Sequence, residues 1–230
     1  MISIIIPTLN ECENLRLLLA DLTQQKMEKE IIVVDGGSTD GTQDIAKSAG
    51  VNLITNPSGR GQQLSQGVEA SKGDLLLFLH ADCRFPENGL SELEQQMENP
   101  PDAIGGNFAL KFAGQDGFSQ WLTGFYAYIR RRGLYYGDSG IFIHKQALRE
   151  LGGIAPLAMM EDYDLVKRME KSKGQTLCID TVTLVTSSRR FDGRSFVGIF
   201  SSWLMMHFLY WLGINGDILA RVYDSKRCRN

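Results

Sequence analysis

The chain has 230 residues, 43% of them apolar and 22% charged, with a net charge of −3. That composition supports a packed core and excludes a disordered chain, and the near-neutral balance excludes an electrostatic nucleic-acid binder. The charge is uneven: residues 1–166 hold 13 Lys and Arg against 22 Asp and Glu, and residues 167–230 hold 11 against 5. The basic later part suits an anionic ligand or surface, and chance would produce the same tilt. Cys12, Cys83, Cys178 and Cys228 lie far apart without a Cys-x-x-Cys pair, so neither a zinc knuckle nor a thioredoxin motif is expected. No basic leader precedes the first strand, which makes free thiols in a reducing cytosol the expectation.

In chain order, SIIIP (3–7) is an apolar run closed by proline and reads as a buried strand. Residues 10–25 have helical spacing: Leu15, Leu18, Leu19 and Leu22 share a face, and Asn10 or Glu11 is placed to cap it. EIIVVDGGSTDGT (30–42) is a second buried strand entering a glycine-rich turn. TQDIAKSAG (42–50) is a short helix stopped by Gly50, and VNLIT (51–55) is a third strand. Residues 59–72 read as a loop and a helix, DLLLFLHAD (74–82) as a fourth strand, and residues 86–99 as a helix broken by Pro100 and Pro101. Four alternations predict βαβ units and an α/β fold with a mostly parallel sheet.

After about residue 103 the pattern changes. AIGGNFALKF (103–112) alternates and predicts a strand of mixed direction. Residues 118–136 are aromatic and then basic, and GDSGIFIHKQALRELGG (137–153) reads as a strand followed by a helix. MEDYDLVKRMEKSKG (160–174) is an amphipathic helix with acids in its first turn, and residues 175–188 form one or two strands. FVGIFSSWLMMHFLYWLGI (196–214) is nearly all apolar. No internal repeat or long linker interrupts the chain, so one domain with a C-terminal extension is expected.

Ligands of open parallel sheets sit at the carboxyl ends of the strands. Here Thr8, Asn10 and Glu11 follow the first strand, Asp35 the second, and His80 and Asp82 the fourth. Any one such acid is ordinarily a turn or a cap; three coincident strand ends argue for a pocket. A dinucleotide fingerprint is excluded, because PTLNECEN has no glycine and DGGSTDG has the wrong spacing; no Walker sequence occurs either. Phosphates would then be neutralised by a divalent metal on Asp82.

SIIIPTLNE, VVDGGSTDGT, LLLFLHAD, GDSGIFI and MEDYDL, in this order, resemble the family 2 glycosyltransferases of the GT-A fold over roughly residues 1–190. The resemblance implies a single domain, with residues 1–100 as the nucleotide-binding half and 101–190 as the acceptor half, before a helical extension at 191–230. It implies inverting transfer of a sugar from a nucleotide-diphosphate sugar, with a UDP-sugar favoured, to the hydroxyl of a small-molecule or lipid acceptor. Asp35 matches the base-reading aspartate, Thr8 and Glu11 line the nucleotide pocket, and Arg60 corresponds to a basic residue near base and phosphates. HAD stands where the family has Asp-x-Asp, so Asp82 is the ligand for Mg²⁺ or Mn²⁺. His80 replaces the first acid and either bonds the ribose or adds a nitrogen ligand that suits Mn²⁺. Asp162 matches the general base, with Glu161 as its orienting neighbour or substitute. Asp138, Ser139 and Gly140 resemble the acceptor-side strand, and Arg189 or Arg190 the basic loop residue that meets the leaving diphosphate. The HAD variant and small size resemble a bacterial subset associated with arsenosugar biosynthesis.

A sugar nucleotidyltransferase is the rival enzyme, but its glycine-rich, lysine-bearing loop after the first strand is missing. A non-catalytic nucleotide-sugar binding or scaffold protein is the other rival, raised by the lost first acid. Residues 196–214 admit a transmembrane helix, a helix in a membrane interface, or a helix packed on the domain or a second subunit. Ser201, Ser202 and His207 interrupt the segment, which favours peripheral membrane contact or packing, including a homodimer, over spanning. The expected location is the cytoplasm, with any attachment at the inner membrane face.

Overall fold

The computed structural model describes residues 1–57, 59–100, 102–189, 196–214, 216 and 218–220. Eight strands form one mixed sheet: β1 (Ile2–Thr8), β2 (Lys29–Asp35), β3 (Asn52–Thr55), β4 (Leu75–Phe78), β5 (Cys83–Arg84), β6 (Ala103–Phe112), β7 (Ile141–His144) and β8 (Gln175–Thr186). Their order is β3-β2-β1-β4-β7-β6-β8-β5. β1 to β4 pair with one another in parallel, as the alternation predicts. β7 is antiparallel to β4 and β6, β8 is parallel to β6, and β5 is antiparallel to β8.

Period-two alternation splits the core between the two faces. Ile4, Ile6, Leu75 and Leu77 face α1 (Cys12–Thr23), α4 (Gly89–Glu98) and α5 (Gly117–Arg130). Ile5, Leu76 and Phe78 face α3 (Arg60–Ala70), α6 (Lys145–Glu150) and α7 (Glu161–Lys171). Leu15, Leu18, Leu19 and Leu22 are the buried face of α1, as their spacing requires. The remaining helices are α2 (Thr42–Ser48) and α8 (Phe196–Trp211).

Two details differ from the sequence reading, and a third settles an alternative it left open. Neither Asn10 nor Glu11 caps α1 with its side chain. Asp40, from the loop before α2, accepts from Cys12 N instead, at 3.0 Å. β4 stops at Phe78, and His80 to Asp82 form a turn in which Cys83 N donates to His80 O. Residues 175–186 are a single strand, with a register irregularity opposite Phe108 and Ala109. Among the described residues no helix is long and apolar enough to cross a membrane. α8 packs on its own domain, with Ile199 in the main core and Met206 against Met160.

β1 is paired with β2 on one side and β4 on the other, and the strand order reverses direction between β1 and β4. A crevice at such a switch point is where an open sheet binds ligands.

Candidate active site

A cleft of about 460 Å³ opens at that point. Thr8 and Glu11 line it from the β1 side, His80 and Asp82 from the β4 side, and Arg60 and Gln63 from α3. Asp35 sits directly behind the wall, in register with Thr8. Its carboxylate is fully buried and accepts from Thr8 Oγ1 (3.1 Å), Gly37 N (3.0 Å), Ser38 N (2.8 Å), Ser38 Oγ and Gln43 Nε2 (2.8 Å). Burial alone would raise its pKa, but the donors from Ser38, Gln43 and Gly37 outweigh it and hold the carboxyl below its ordinary range. Gln63 was not anticipated from sequence. Its side-chain amide donates to Thr8 O (3.0 Å) and Val34 O (2.8 Å), tying together β1 and β2 where they reach the cleft.

Arg189 also lines the cleft, where its guanidinium donates to both carboxylate oxygens of Glu11. Arg190 lies outside the described residues.

A second cavity, of about 290 Å³, adjoins the first and shares Arg60, His80 and Met159 with it. Asp138 and Asp162 face this second space. Asp162 begins α7 with Glu161, where the helix dipole favours negative charge. Its Oδ2 accepts from Gly137 N at 2.9 Å, which fixes the carboxylate against the turn that carries Asp138. Asp138 Oδ1 in turn meets His80 Nδ1 at 2.8 Å. His80 therefore stands between the two spaces, held from behind by a carboxylate.

Glu161 lies elsewhere. It is 1% exposed, lines neither cavity, and pairs through Oε1 with Arg60 Nε. Its Oε2 is buried without a hydrogen-bond partner. Burial raises the Glu161 pKa despite the Arg60 charge, while Glu161, Asp162 and Asp138 keep Arg60 firmly cationic against its own burial. Met160, just before the pair, has φ 70°, a left-handed conformation that a side-chain-bearing residue seldom adopts.

Ser139 and Gly140 line neither cavity. Ser139 Oγ donates to Tyr136 O, and Gly140, at φ 65°, packs toward Leu79 and Phe108 of the core. The close approach beside the acids falls at Gly137, where a Cβ would come within 2.6 Å of His80 Nε2 and 3.2 Å of Asp162 Oδ2.

Residues 3–150 match the family model described as Glycosyl transferase family 2. The chain belongs to that family. It is 33% identical over 120 residues to the glycosyltransferase AglE of Haloferax volcanii, a match covering 46% of this chain and 38% of that protein. A mannosyltransferase from Pyrobaculum calidifontis, solved with GDP-Man and Mn²⁺, superimposes with a TM-score of 0.65 at 17% identity over 80% of this chain and 56% of that one. Glucosyl-3-phosphoglycerate synthase from Mycobacterium tuberculosis, solved with Mg²⁺ and UDP, gives 0.65 at 18% identity over 93% and 80%. The last two likenesses establish a shared fold.

For a glycosyltransferase of this family the sequence-selected residues form a compact set. Thr8, Glu11, Arg60, His80, Asp82 and Arg189 share one cleft, and Asp138 and Asp162 face the adjoining space. Among the described residues no group of three His, Cys, Asp or Glu side chains forms a self-sufficient metal site. Asp82 nevertheless places a hard oxygen donor in the cleft, while both oxygens of Glu11 are taken by Arg189. That donor fits a Mg²⁺ or Mn²⁺ held jointly with substrate phosphates, since Mg²⁺ is commonly bound by one or two carboxylates plus phosphate oxygens.

Proposed function

We propose that this chain transfers a sugar from a nucleotide-diphosphate sugar, with a UDP-sugar favoured, to an acceptor hydroxyl with inversion. One observation carries the reading: a cleft at the sheet's switch point and a carboxylate-faced cavity meet at Arg60 and His80. The nucleotide occupies the cleft, with its base near Thr8 and the loop that Asp35 organises. Arg60 and, once it leaves Glu11, Arg189 lie on the diphosphate. Asp82 would hold a divalent metal, which would supply charge neutralisation for the leaving group.

Asp162 acts as the general base. It takes the acceptor proton while the acceptor oxygen bonds to the anomeric carbon. The bond from that carbon to the diphosphate oxygen breaks, and its electron pair departs with the nucleotide. The Gly137 N–H keeps one carboxylate oxygen oriented, and His80, braced by Asp138, fixes the boundary between donor and acceptor. Glu161, buried against Arg60, positions the first turn of α7.

Asp162→Asn tests the reading. It keeps an oxygen for Gly137 N but removes the base, so transfer is expected to fall about 10²–10⁴-fold while UDP binding is retained. Unchanged transfer would refute the base assignment. Wild-type protein that binds UDP but transfers and hydrolyses no sugar would favour a binding protein instead.

A further inference from the structure

The apolar walls of the second cavity have no role in the mechanism above. Asp162, Asp138 and His80 line it together with Phe125, Ile129, Leu134, Phe200, Trp203 and Leu204. A polyhydroxyl acceptor would lose hydrogen bonds along such walls, because a buried polar group without a partner is costly. An apolar body loses nothing there.

The apolar lining continues outside. Phe200, Leu204, Phe208 and Trp211 follow each other at helical i, i+4, i+8 and i+11 spacing along α8. Phe200 and Leu204 line the cavity, and Leu204, Phe208 and Trp211 are 58%, 58% and 77% exposed. The two helices are joined by stacked rings: Trp121 on Phe125 within α5, and Phe125 on Trp203 of α8, with centroids 5.1 and 6.4 Å apart. Apolar side chains thus run from the cavity that Asp162 and Asp138 share to the exposed surface of a helix that is apolar on its buried and exposed sides alike. Exposed stripes of this kind mark sites of apolar contact.

We infer that the cavity binds an amphiphilic alcohol. Its hydroxyl lies at Asp162, its chain passes between α5 and α8, and the chain's far end runs along Phe208 and Trp211. The inference rests on the transfer reading, and it names the acceptor class: a hydroxyl at the head of an apolar chain, rather than a sugar or glycerol-like polyol.

The test is calorimetric titration of the full chain, in the presence and absence of UDP, with 1-butanol, 1-hexanol, 1-octanol and 1-decanol. Affinity is expected to rise by roughly two- to four-fold per methylene. Leu204→Lys, on the exposed rim, should weaken every alcohol. Phe208→Ser, beyond the rim, should weaken 1-decanol several-fold and leave 1-butanol unchanged. Affinity independent of chain length, glycerol or glucose binding as tightly as 1-octanol, or both variants matching wild type would overturn the inference. UDP binding without alcohol binding would overturn it alone and leave the transfer reading standing. Alcohol binding without any UDP binding would remove the transfer reading and leave the apolar-alcohol site in place.

Discussion

The Arg60 guanidinium pairs with the buried Glu161 carboxylate, joining the wall of the nucleotide cleft to the first turn of the helix that presents Asp162. The two residues are 101 positions apart in the chain. Anything that moves α3 therefore moves the acidic end of α7.

Removing Arg60 leaves Glu161 buried and unpaired. Arg60→Ala is expected to destabilise the fold by about 3 kcal/mol, the lower end of the range for breaking a buried pair, because Arg60 itself is 32% exposed. Arg60→Ala/Glu161→Leu should recover most of that loss, since an apolar side chain has no charge to desolvate. Urea midpoints for the single and double variants decide it. Equal midpoints for the two would show that the unpaired Glu161 carboxylate is not the source of the loss.

The His80–Asp138 contact explains why restoring the family's first acid would not be a simple repair. His80→Asp would put two carboxylates where a ring nitrogen now meets Asp138 Oδ1 at 2.8 Å. Like charges so close force one group to take a proton or move apart. His80→Asp is expected to lower stability by roughly 1–3 kcal/mol. His80→Asp/Asp138→Asn, which offers an amide donor, should recover it. A double-mutant cycle in thermal unfolding, read as a coupling energy, is the measurement. Additive effects would rule out the contact.

How far this site was legible depended on what placed each residue. Thr8, Glu11, His80 and Asp82 could be grouped beforehand because parallel strands bring their carboxyl ends to one edge whatever the side chains do. The edge position of Asp35 follows from the sequence but its state does not: four of its five donors exist only because residues 37–43 fold back over it. The apolar cavity was illegible, since α5 and α8 meet across some 70 residues of chain and neither announces the other. The three consecutive arginines at 130–132 are alike in sequence, yet Arg130 turns inward to Asn107 and lies over the Tyr135 ring at 4.5 Å, while Arg131 and Arg132 are exposed. Only packing separates the three. Gly137 was passed over for Gly140 because nothing local distinguishes them; the distinction comes from His80, 57 positions earlier in the chain.

Asp35 sets a pH dependence with a definite sign. Its folded pKa is lowered below the ordinary 3.8, so the unfolded chain binds more protons in that window and stability rises with pH there. The contribution is complete above about pH 4–5 and is lost as pH falls through the folded value. Asp35→Asn should cost about 1–3 kcal/mol at neutral pH, because several donors then face a poorer acceptor. The gap between wild type and variant should narrow steadily below pH 4. A gap that stays constant from pH 7 to pH 2.5 would contradict the hydrogen-bonded carboxylate described here.

Gly137 gives the most local test of how the site is held. Its N–H orients Asp162, and a methyl group on its Cα would sit 2.6 Å from His80 Nε2. Gly137 is not among the left-handed glycines, so Gly137→Ala imposes no backbone penalty and acts through this contact. His80 must then rotate away from Asp138 or the turn must pull back from Asp162. Either shift disturbs the boundary between donor and acceptor, and a displacement of about 1 Å at a reacting centre costs on the order of 10²-fold in rate. Transfer by Gly137→Ala is therefore expected to fall about 10²-fold, mostly in kcat, with UDP affinity within a few-fold of wild type. His80→Ala/Gly137→Ala should fare no worse than His80→Ala alone, because the obstructed ring is gone. If Gly137→Ala slows transfer equally with and without the imidazole, the argument from His80 fails, and the methyl group acts through its 3.2 Å approach to Asp162 Oδ2 instead.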